Sequence, residues 1–267
     1  MKIAMFGTTL YAGVISSLLA ESGHQVFICN DLQDHTALFN LRDQDVVRAL
    51  EKQYQSGFLS YCNFAALPLD IDAYFFSFNP TQEAEALDVV QKLKMRTIIH
   101  PKLMINASTF GLNGTEKLKA VLTKDHWVYF PDIIQEGQAF KSVTSASKVI
   151  IGCADQQAQG DLEEMLRPLF PRQQQYLFMP VLDAEFTKLS ISGMLATRIS
   201  YMNDLADVAE KLGIDIAHVR DGMAADSRIG ESYLYSGAGF GGENFSHDIL
   251  TLSNTISNTG TKSQLLG

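Results

Sequence analysis

The stretch Gly237-Ala-Gly-Phe-Gly-Gly-Glu-Asn-Phe-Ser-His-Asp248 places four glycines within six residues. Glycines at that density call for positive φ or for close approach of the backbone to a ligand. The loop is not the polar Ser/Gly mixture of a flexible linker. It carries Phe240 and Phe245 and ends in Asp248 at the start of an apolar helical pattern, so it reads as a ligand-facing loop. Upstream, Lys188 and Ser192 stand four apart in a helical pattern and share one face. Asp132 and Glu136 are also four apart; on a helix they occupy one face and, as like charges, repel slightly. Near the N-terminus, Gly7-Thr-Thr-Leu-Tyr-Ala12 fits part of the dinucleotide-binding turn G-x-G-x-x-G/A, with Gly7 and Ala12 in place and Thr9 at the middle glycine.

These residues need a scaffold, and the apolar pattern supplies one. A buried strand over 2–6, a helix over 10–22 stopped by Gly23, and a second strand over 25–29 make a βαβ opening. A helix-rich stretch covers 33–55. An apolar strand at 73–78 is followed by a helix that Thr81 can cap and that runs to about 94. Further strand patterns fall at 97–99, 103–106, 127–130 and 148–151, with helices between them. Alternating helices and continuously apolar strands predict a parallel sheet covered on both faces. From residue 184 the pattern is purely helical. Leu189, Leu195, Ile199, Met202, Leu205, Ala209 and Leu212 recur at three- and four-residue spacing, with Asp183 as the expected N-cap and Gly213 closing the run. A second helix is expected after Asp215. The expected fold is α/β: a Rossmann-like doubly wound parallel sheet over 1–182, then an all-helical domain over 183–267 entered by a long connecting helix.

Composition narrows the function. The chain has 267 residues, 46% of them hydrophobic, and a net charge of −9, which argues against nucleic acid or anionic membranes as partners. A phosphate-bearing ligand must therefore be held by local donors. Cys29, Cys62 and Cys153 are far apart in sequence and form no C-x-x-C, so they read as core thiols in a reducing, cytoplasmic compartment. The six histidines show no metal-ligand spacing, and no metal is expected. The apolar N-terminus is interrupted by Gly7-Thr-Thr9 and runs straight into a second strand, which disfavours a signal peptide. No segment is apolar for long enough to span a membrane.

The segments Asp226-Ser-Arg-Ile-Gly230 and Gly241-Gly-Glu-Asn-Phe-Ser-His-Asp248 resemble the signature loop of the UDP-glucose/GDP-mannose 6-dehydrogenases, which reads G-G-S-C-F-P-K-D. The family's cysteine is the catalytic nucleophile; Asn244 stands at its position and His247 at that of the lysine. Other stretches carry the resemblance further. Ser108-Thr109 is similar to the family's S-T-V-P, whose threonine lies near the reacting centre, although here Phe110-Gly111 follows in place of the proline. Pro131-Asp-Ile-Ile-Gln-Glu136-Gly137 is similar to P-E-F-L-R-E-G, whose two acids line the site. Lys188 with Ser192 matches K-x-x-x-N, in which the lysine polarises the reacting oxygen and the asparagine supports it.

The resemblance implies NAD as cofactor. Gly7, Thr9 and Ala12 would form its turn, and Asn30 or Asp31 would stand where an acid contacts the ribose. Binding is expected to be weak, because Thr9 adds bulk near the pyrophosphate and Asn30 lacks a charge. The resemblance also implies Lys188, Asp248, Glu136, Thr109 and the Asn244 position as catalytic, Asp132, Ser192, Gly241 and Gly242 as substrate-binding, and a homodimer through the helical region. Family members continue into a second Rossmann-like domain that completes the UDP site. The sequence stops at Leu265-Leu-Gly267, near where that domain begins, so the UDP-binding domain is expected to be absent. Acid formation in the family passes through a thioester on the cysteine, which a carboxamide cannot form. Three readings follow: an oxidoreductase limited to one hydride transfer on a nucleotide sugar or another small molecule; an inactive paralogue that binds a nucleotide or a protein partner; or an enzyme of the related hydroxyacid type that uses Lys188.

Overall fold

The computed structural model describes residues 1–30, 43–96, 101–123 and 126–262, except for the side chain of Glu243. The chain divides into two compact units, Met1–Phe186 and Thr187–Gly267. The first is built on an eight-stranded sheet in the order β3-β2-β1-β4-β5-β6-β7-β8. Its strands are β1 (Lys2–Phe6), β2 (Gln25–Cys29), β3 (Leu59–Cys62), β4 (Ala73–Phe76), β5 (Leu103–Asn106), β6 (Trp127–Tyr129), β7 (Val149–Gly152) and β8 (Tyr176–Met179). Helices α1 (Leu10–Glu21), α2 (Gln44–Gln55), α3 (Glu83–Met95), α4 (Gly114–Val121), α5 (Ala139–Thr144) and α6 (Gln156–Leu166) complete the unit. The central strands are apolar on both faces: all four residues of β4 and of β5 are buried. Two apolar clusters surround the sheet, one including Ile3, Met5 and Phe75, the other Ala4, Phe6 and Phe76. Neighbouring strand residues therefore feed opposite faces, as the pleat requires.

The Rossmann-like, mostly parallel sheet agrees with the sequence reading, with one departure. β6 and β7 pair antiparallel through Tyr129 and Gly152, and β8 then runs parallel to β7. Strands β3 and β8 were not anticipated. β3 is short and half-buried, and β8 lies on the sheet edge, so neither shows the continuous apolar run that marks a central strand. The expected strand at 97–99 and the first part of the 33–55 stretch lie outside the described residues. Gln82, not Thr81, stands at the N-cap of α3; Asn79 heads the short 3-10 turn before it, Pro80–Gln82, its amide donating to Gln82 Oε1 at 3.0 Å. Among the described residues no helix is long and apolar enough to cross a membrane.

Helix α7 (Val181–Leu212) runs from the first unit into the second. It starts three residues earlier than an Asp183 cap requires. Asp183 lies in its first turn instead, where a negative charge suits the helix dipole. At the other end Gly213 takes φ 69° and Ile214 N–H closes onto Ala209 O at 2.9 Å. The second unit adds α8 (Ile216–Ala225), capped by Asp215 on the Ala217 amide at 2.8 Å, and α9 (Glu243–Asn258). The apolar pattern of α7 resolves into two faces. Leu189, Ala196, Met202 and Ala209 are buried. Met194, Tyr201, Val208 and Leu212 are exposed, so Leu212 does not share the buried stripe expected of it.

Gly7 fixes the start of the first unit. It has φ 98°, and a Cβ added there would fall 1.8 Å from the Ser77 carbonyl oxygen. Both the conformation and the contact exclude a side chain. Gly7→Ala should lower stability by about 3 kcal/mol or more, read as a drop in the urea midpoint; a loss under about 1 kcal/mol would mean that β1 and β4 can separate freely at this point.

Candidate active site

The most concentrated chemistry lies in the second unit. Asp248 is 1% exposed. Its Oδ2 accepts from Lys188 Nζ at 3.0 Å and from Ser192 Oγ at 2.7 Å. Local structure explains why these three meet: Lys188 and Ser192 are one turn apart on α7, and Asp248 faces them from the second turn of α9. The second carboxylate oxygen, Oδ1, is buried and has no hydrogen-bond partner among the described residues. A buried carboxylate oxygen left open is costly, and such orphans mark places where a water or ligand supplies the missing donor.

The glycine loop leads directly into this cluster. Gly239 and Gly242 take φ 97° and 94°, so these two are required by conformation. Gly237 and Gly241 have neither positive φ nor a crowded Cβ position. Gly242 is the N-cap of α9. Asn244 is therefore in the first turn of α9, exposed, and four residues before Asp248. Residues so spaced share a helix face about 5–6 Å apart, which sets the carboxamide one turn above the buried carboxylate. Phe240 and Phe245 meet edge to face at 5.3 Å and close the base of the loop. His247 lies 3.4 Å from Thr251 Oγ1, an i,i+4 contact along α9. The loop 226–230 is tied to α7 by Arg198, whose two terminal nitrogens donate to the carbonyls of Ile229 and Gly230, each at 3.0 Å. Sequence reading missed this arginine; its planar fork suits two neighbouring carbonyls, but its place in the helical pattern carried no sign of that.

In the first unit the other sequence-predicted residues follow the C-terminal ends of several strands, with Gly7 and Thr9 after β1, Asn30 after β2, Thr109 after β5, and Asp132 and Glu136 after β6. Thr9 caps α1, accepting from Ala12 N–H at 3.1 Å, and its hydroxyl lies 2.6 Å from Ser77 Oγ. The hydroxyl is turned inward and Thr9 is 9% exposed. Asn30 follows β2 and its amide donates to Cys62 O at 3.1 Å. Asp31 lies outside the described residues. Ser108 acts as a strut, donating to Phe76 O at 3.1 Å and accepting from Phe78 N–H at 2.9 Å; Thr109 is the half-buried residue after it.

Asp132 and Glu136 require a correction. Residues 131–138 form a loop with Gly137 at φ 77°, and α5 starts only at Ala139. The shared helix face inferred from their spacing does not exist. Asp132 Oδ1 instead accepts from the Ile134 amide at 3.1 Å, a local turn contact, and Glu136 is exposed. Pro131 and Gly137, at the two ends of the stretch, are turn signals that outweigh the i,i+4 spacing. The Asp132 charge still reaches the interior: burial first, then this carboxylate, pushes the Tyr11 hydroxyl well above its ordinary range.

Glu185, which the sequence reading did not single out, is 3% exposed. Its carboxylate accepts the amides of Asn113 at 2.7 Å and Thr115 at 2.9 Å, capping α4, whose N-cap Asn113 is left-handed at φ 62°. Burial raises Glu185 above the ordinary 4.5, against the hydrogen bonds from Thr115 and Asn113 that act to lower it.

The chain has relatives among known proteins. The family model for the central domain of the UDP-glucose/GDP-mannose dehydrogenase family matches residues 182–267. A UDP-glucose 6-dehydrogenase of Pseudomonas aeruginosa is 37% identical over 288 residues, taking in 100% of this chain and 64% of that protein. These matches support membership of the UDP-glucose/GDP-mannose dehydrogenase family. It spans just under two thirds of the length of that relative. The structure of a UDP-glucose dehydrogenase from Pyrobaculum islandicum superposes with a TM-score of 0.86 at 23% identity, covering 99% of this chain and 66% of that one. A UDP-D-ManNAc dehydrogenase from Pyrococcus horikoshii gives 0.82 at 18% identity, covering 100% and 66%. At these identities the two structures speak for the fold.

The Glu185 carboxyl gives this region a pH signature. Because its folded pKa lies above the unfolded value, the folded state binds its proton more tightly. It therefore contributes stability that is fully present below 4.5 and lost as pH rises through the folded pKa. Denaturant titrations of wild type and Glu185→Gln across this range should show the wild type losing stability relative to the variant as pH rises. Parallel pH profiles would show that this carboxyl does not titrate abnormally.

Proposed function

We propose that the chain performs the hydride-transfer half of nucleotide-sugar dehydrogenase chemistry, interconverting an alcohol and an aldehyde with NAD, without completing the four-electron oxidation to the acid. The observation that carries this reading is the buried Asp248 carboxylate, which holds Lys188 by one oxygen and keeps the other open. Lys188 donates to the reacting oxygen and stabilises the negative charge that builds on it. Asp248 Oδ1 accepts from a substrate hydroxyl or a bound water. Ser192 steadies Asp248 with a hydroxyl where the family has a carboxamide. In the first unit, Thr109 and Glu136 as catalytic residues and Asp132 as a substrate contact are proposed from the sequence resemblance alone. Gly241 and Gly242 give the substrate access to backbone at the mouth of α9.

NAD, when bound, supplies the hydride acceptor. The residues present fit it. The strand order reverses between β1 and β4, and Gly7, Thr9 and Ser77 meet at the C-terminal ends of those strands, the place where open α/β sheets bind nucleotides. Gly7, Thr9, Ala12 and Asn30 would hold it, and Asp31 is proposed beside them from the sequence alone. Thr9 spends its hydroxyl on the Ala12 amide, a first-turn donor, which supports weak binding.

Two measurements test the proposal. Wild-type protein with UDP-glucose and NAD should form no UDP-glucuronate by chromatography. Asn244→Cys alone should not restore it, because a thiol needs a lowered pKa to attack and grouped catalytic residues do not recover singly. Two NADH per acid from the single mutant would refute the reading.

The second measurement concerns assembly. We propose a homodimer through the helical unit, supported by the exposed Met194, Tyr201 and Val208, which recur every seven residues along α7. Light scattering at micromolar concentration should give a dimer, and Tyr201→Glu a monomer; a monomeric wild type would count against it.

A further inference from the structure

We propose that Cys29 and Cys62 form a reversible disulfide at the C-terminal ends of β2 and β3. The sequence places these cysteines thirty-three residues apart, and the fold brings them side by side. They are register partners in the parallel β2–β3 pair, each the last residue of its strand. Register partners point to the same face of a sheet, and both thiols belong to the cluster containing Phe6 and Phe76. Neighbouring strands lie about 4.8 Å apart, within the roughly 4.4–6.8 Å between Cα atoms that a disulfide spans. Neither is in a disulfide; Cys29 is buried and Cys62 is half-buried, so an oxidant reaches Cys62 first.

The surroundings favour reaction at Cys62. A hydrogen bond from the Cys29 thiol holds its pKa below the ordinary value; burial opposes this, and the Arg96 charge assists. Arg96 is anchored nearby, its guanidinium donating to the carbonyls of Phe64 and Leu67 and lying 5.4 Å from the Phe64 ring centroid. A depressed pKa with a neighbouring thiol is the arrangement of a reactive and a resolving cysteine. Cys153 differs: it is 2% exposed, its thiol donates to Asp155 O at 3.3 Å, and burial raises its pKa.

The oxidant is a hydroperoxide. The Cys62 thiolate attacks the peroxide O–O bond, forming a sulfenic acid and releasing one water from hydrogen peroxide. The Cys29 sulfur then displaces the sulfenic hydroxyl, forming the S–S bond and releasing a second water. Two thiols lose two electrons and the peroxide gains them. Side chains that stand parallel on adjacent strands keep their Cβ atoms further apart than the ~3.8 Å a disulfide prefers. The bridge must pull the strand ends together, which makes it easily reduced.

The strand end that moves carries Asn30, whose amide donates to Cys62 O. Oxidation therefore reaches the position at which the proposed function places the cofactor ribose, and this consequence alone rests on that reading. Peroxide-treated protein is alkylated under denaturing conditions, digested without reductant and analysed by mass spectrometry. The expected result is a Cys29–Cys62 cross-linked peptide that dithiothreitol removes, with Cys153 alkylated throughout. In Cys29→Ser the resolving thiol is gone, and Cys62 should advance to sulfinic acid. Wild type in which Cys29 stays alkylatable while Cys62 is over-oxidised, or in which both stay reduced, would overturn the proposal. Calorimetry with NAD should show at least about fivefold weaker binding to the oxidised form, and equal affinities would overturn the coupling to Asn30. Reduced protein that binds no NAD would sink the cofactor reading, while the cross-linked peptide still decides the redox claim.

Discussion

A carboxylate buried to 1% exposure is tolerated only when its charge is answered, and Asp248 is answered on one oxygen. Lys188 and Ser192 share Oδ2, so the ammonium is held in place by a group that cannot move away into water. Removing one partner of such a pair strands the other, at a cost of about 3–5 kcal/mol. The rest of the second unit serves this contact. The length of α7 sets Lys188 and Ser192 on one face, Gly242 starts α9 where Asp248 reaches them, and Arg198 ties the 226–230 loop back to α7. The open Oδ1 is the part of the arrangement that stability does not explain.

The first unit is organised by a different constraint, close approach at the end of β1. Gly7 lets the β1–α1 turn lie against Ser77, and Thr9 then bonds the same serine while capping α1. The threonine that replaces a fingerprint glycine thus has a structural occupation, joining the helix to β4. Asn106, Thr115 and Glu185 form a second buried polar chain, from the end of β5 through the head of α4 to the first turn of α7. Both sets place polar groups at the strand ends while leaving the two faces of the sheet apolar.

Most of the scaffold was legible in the sequence because continuous apolar strands and a 3.6-residue period are strong signals. β1, α1, β2, β4 and α7 follow from them directly. Edge strands such as β8 bury only one face, and the reversal at β6–β7 depends on pairing that no local pattern encodes. Lys188 and Ser192 were readable as a pair from their spacing, whereas their convergence on Asp248 is tertiary. Spacing misled at Asp132 and Glu136, where proline and glycine at the ends of the stretch make a loop. Cys29 and Cys62 looked remote because strand register, not sequence distance, decides which side chains are neighbours.

The central claim is that Lys188, held by Asp248, serves a single hydride transfer. The most direct test runs the reaction backwards, with NADH and a nucleotide-sugar 6-aldehyde, where Asn244 has no part to play. The wild type should oxidise NADH and release the alcohol, and Lys188→Ala should slow this by about a hundredfold or more. A wild type that leaves NADH untouched, or a Lys188→Ala variant as fast as the wild type, would contradict the account.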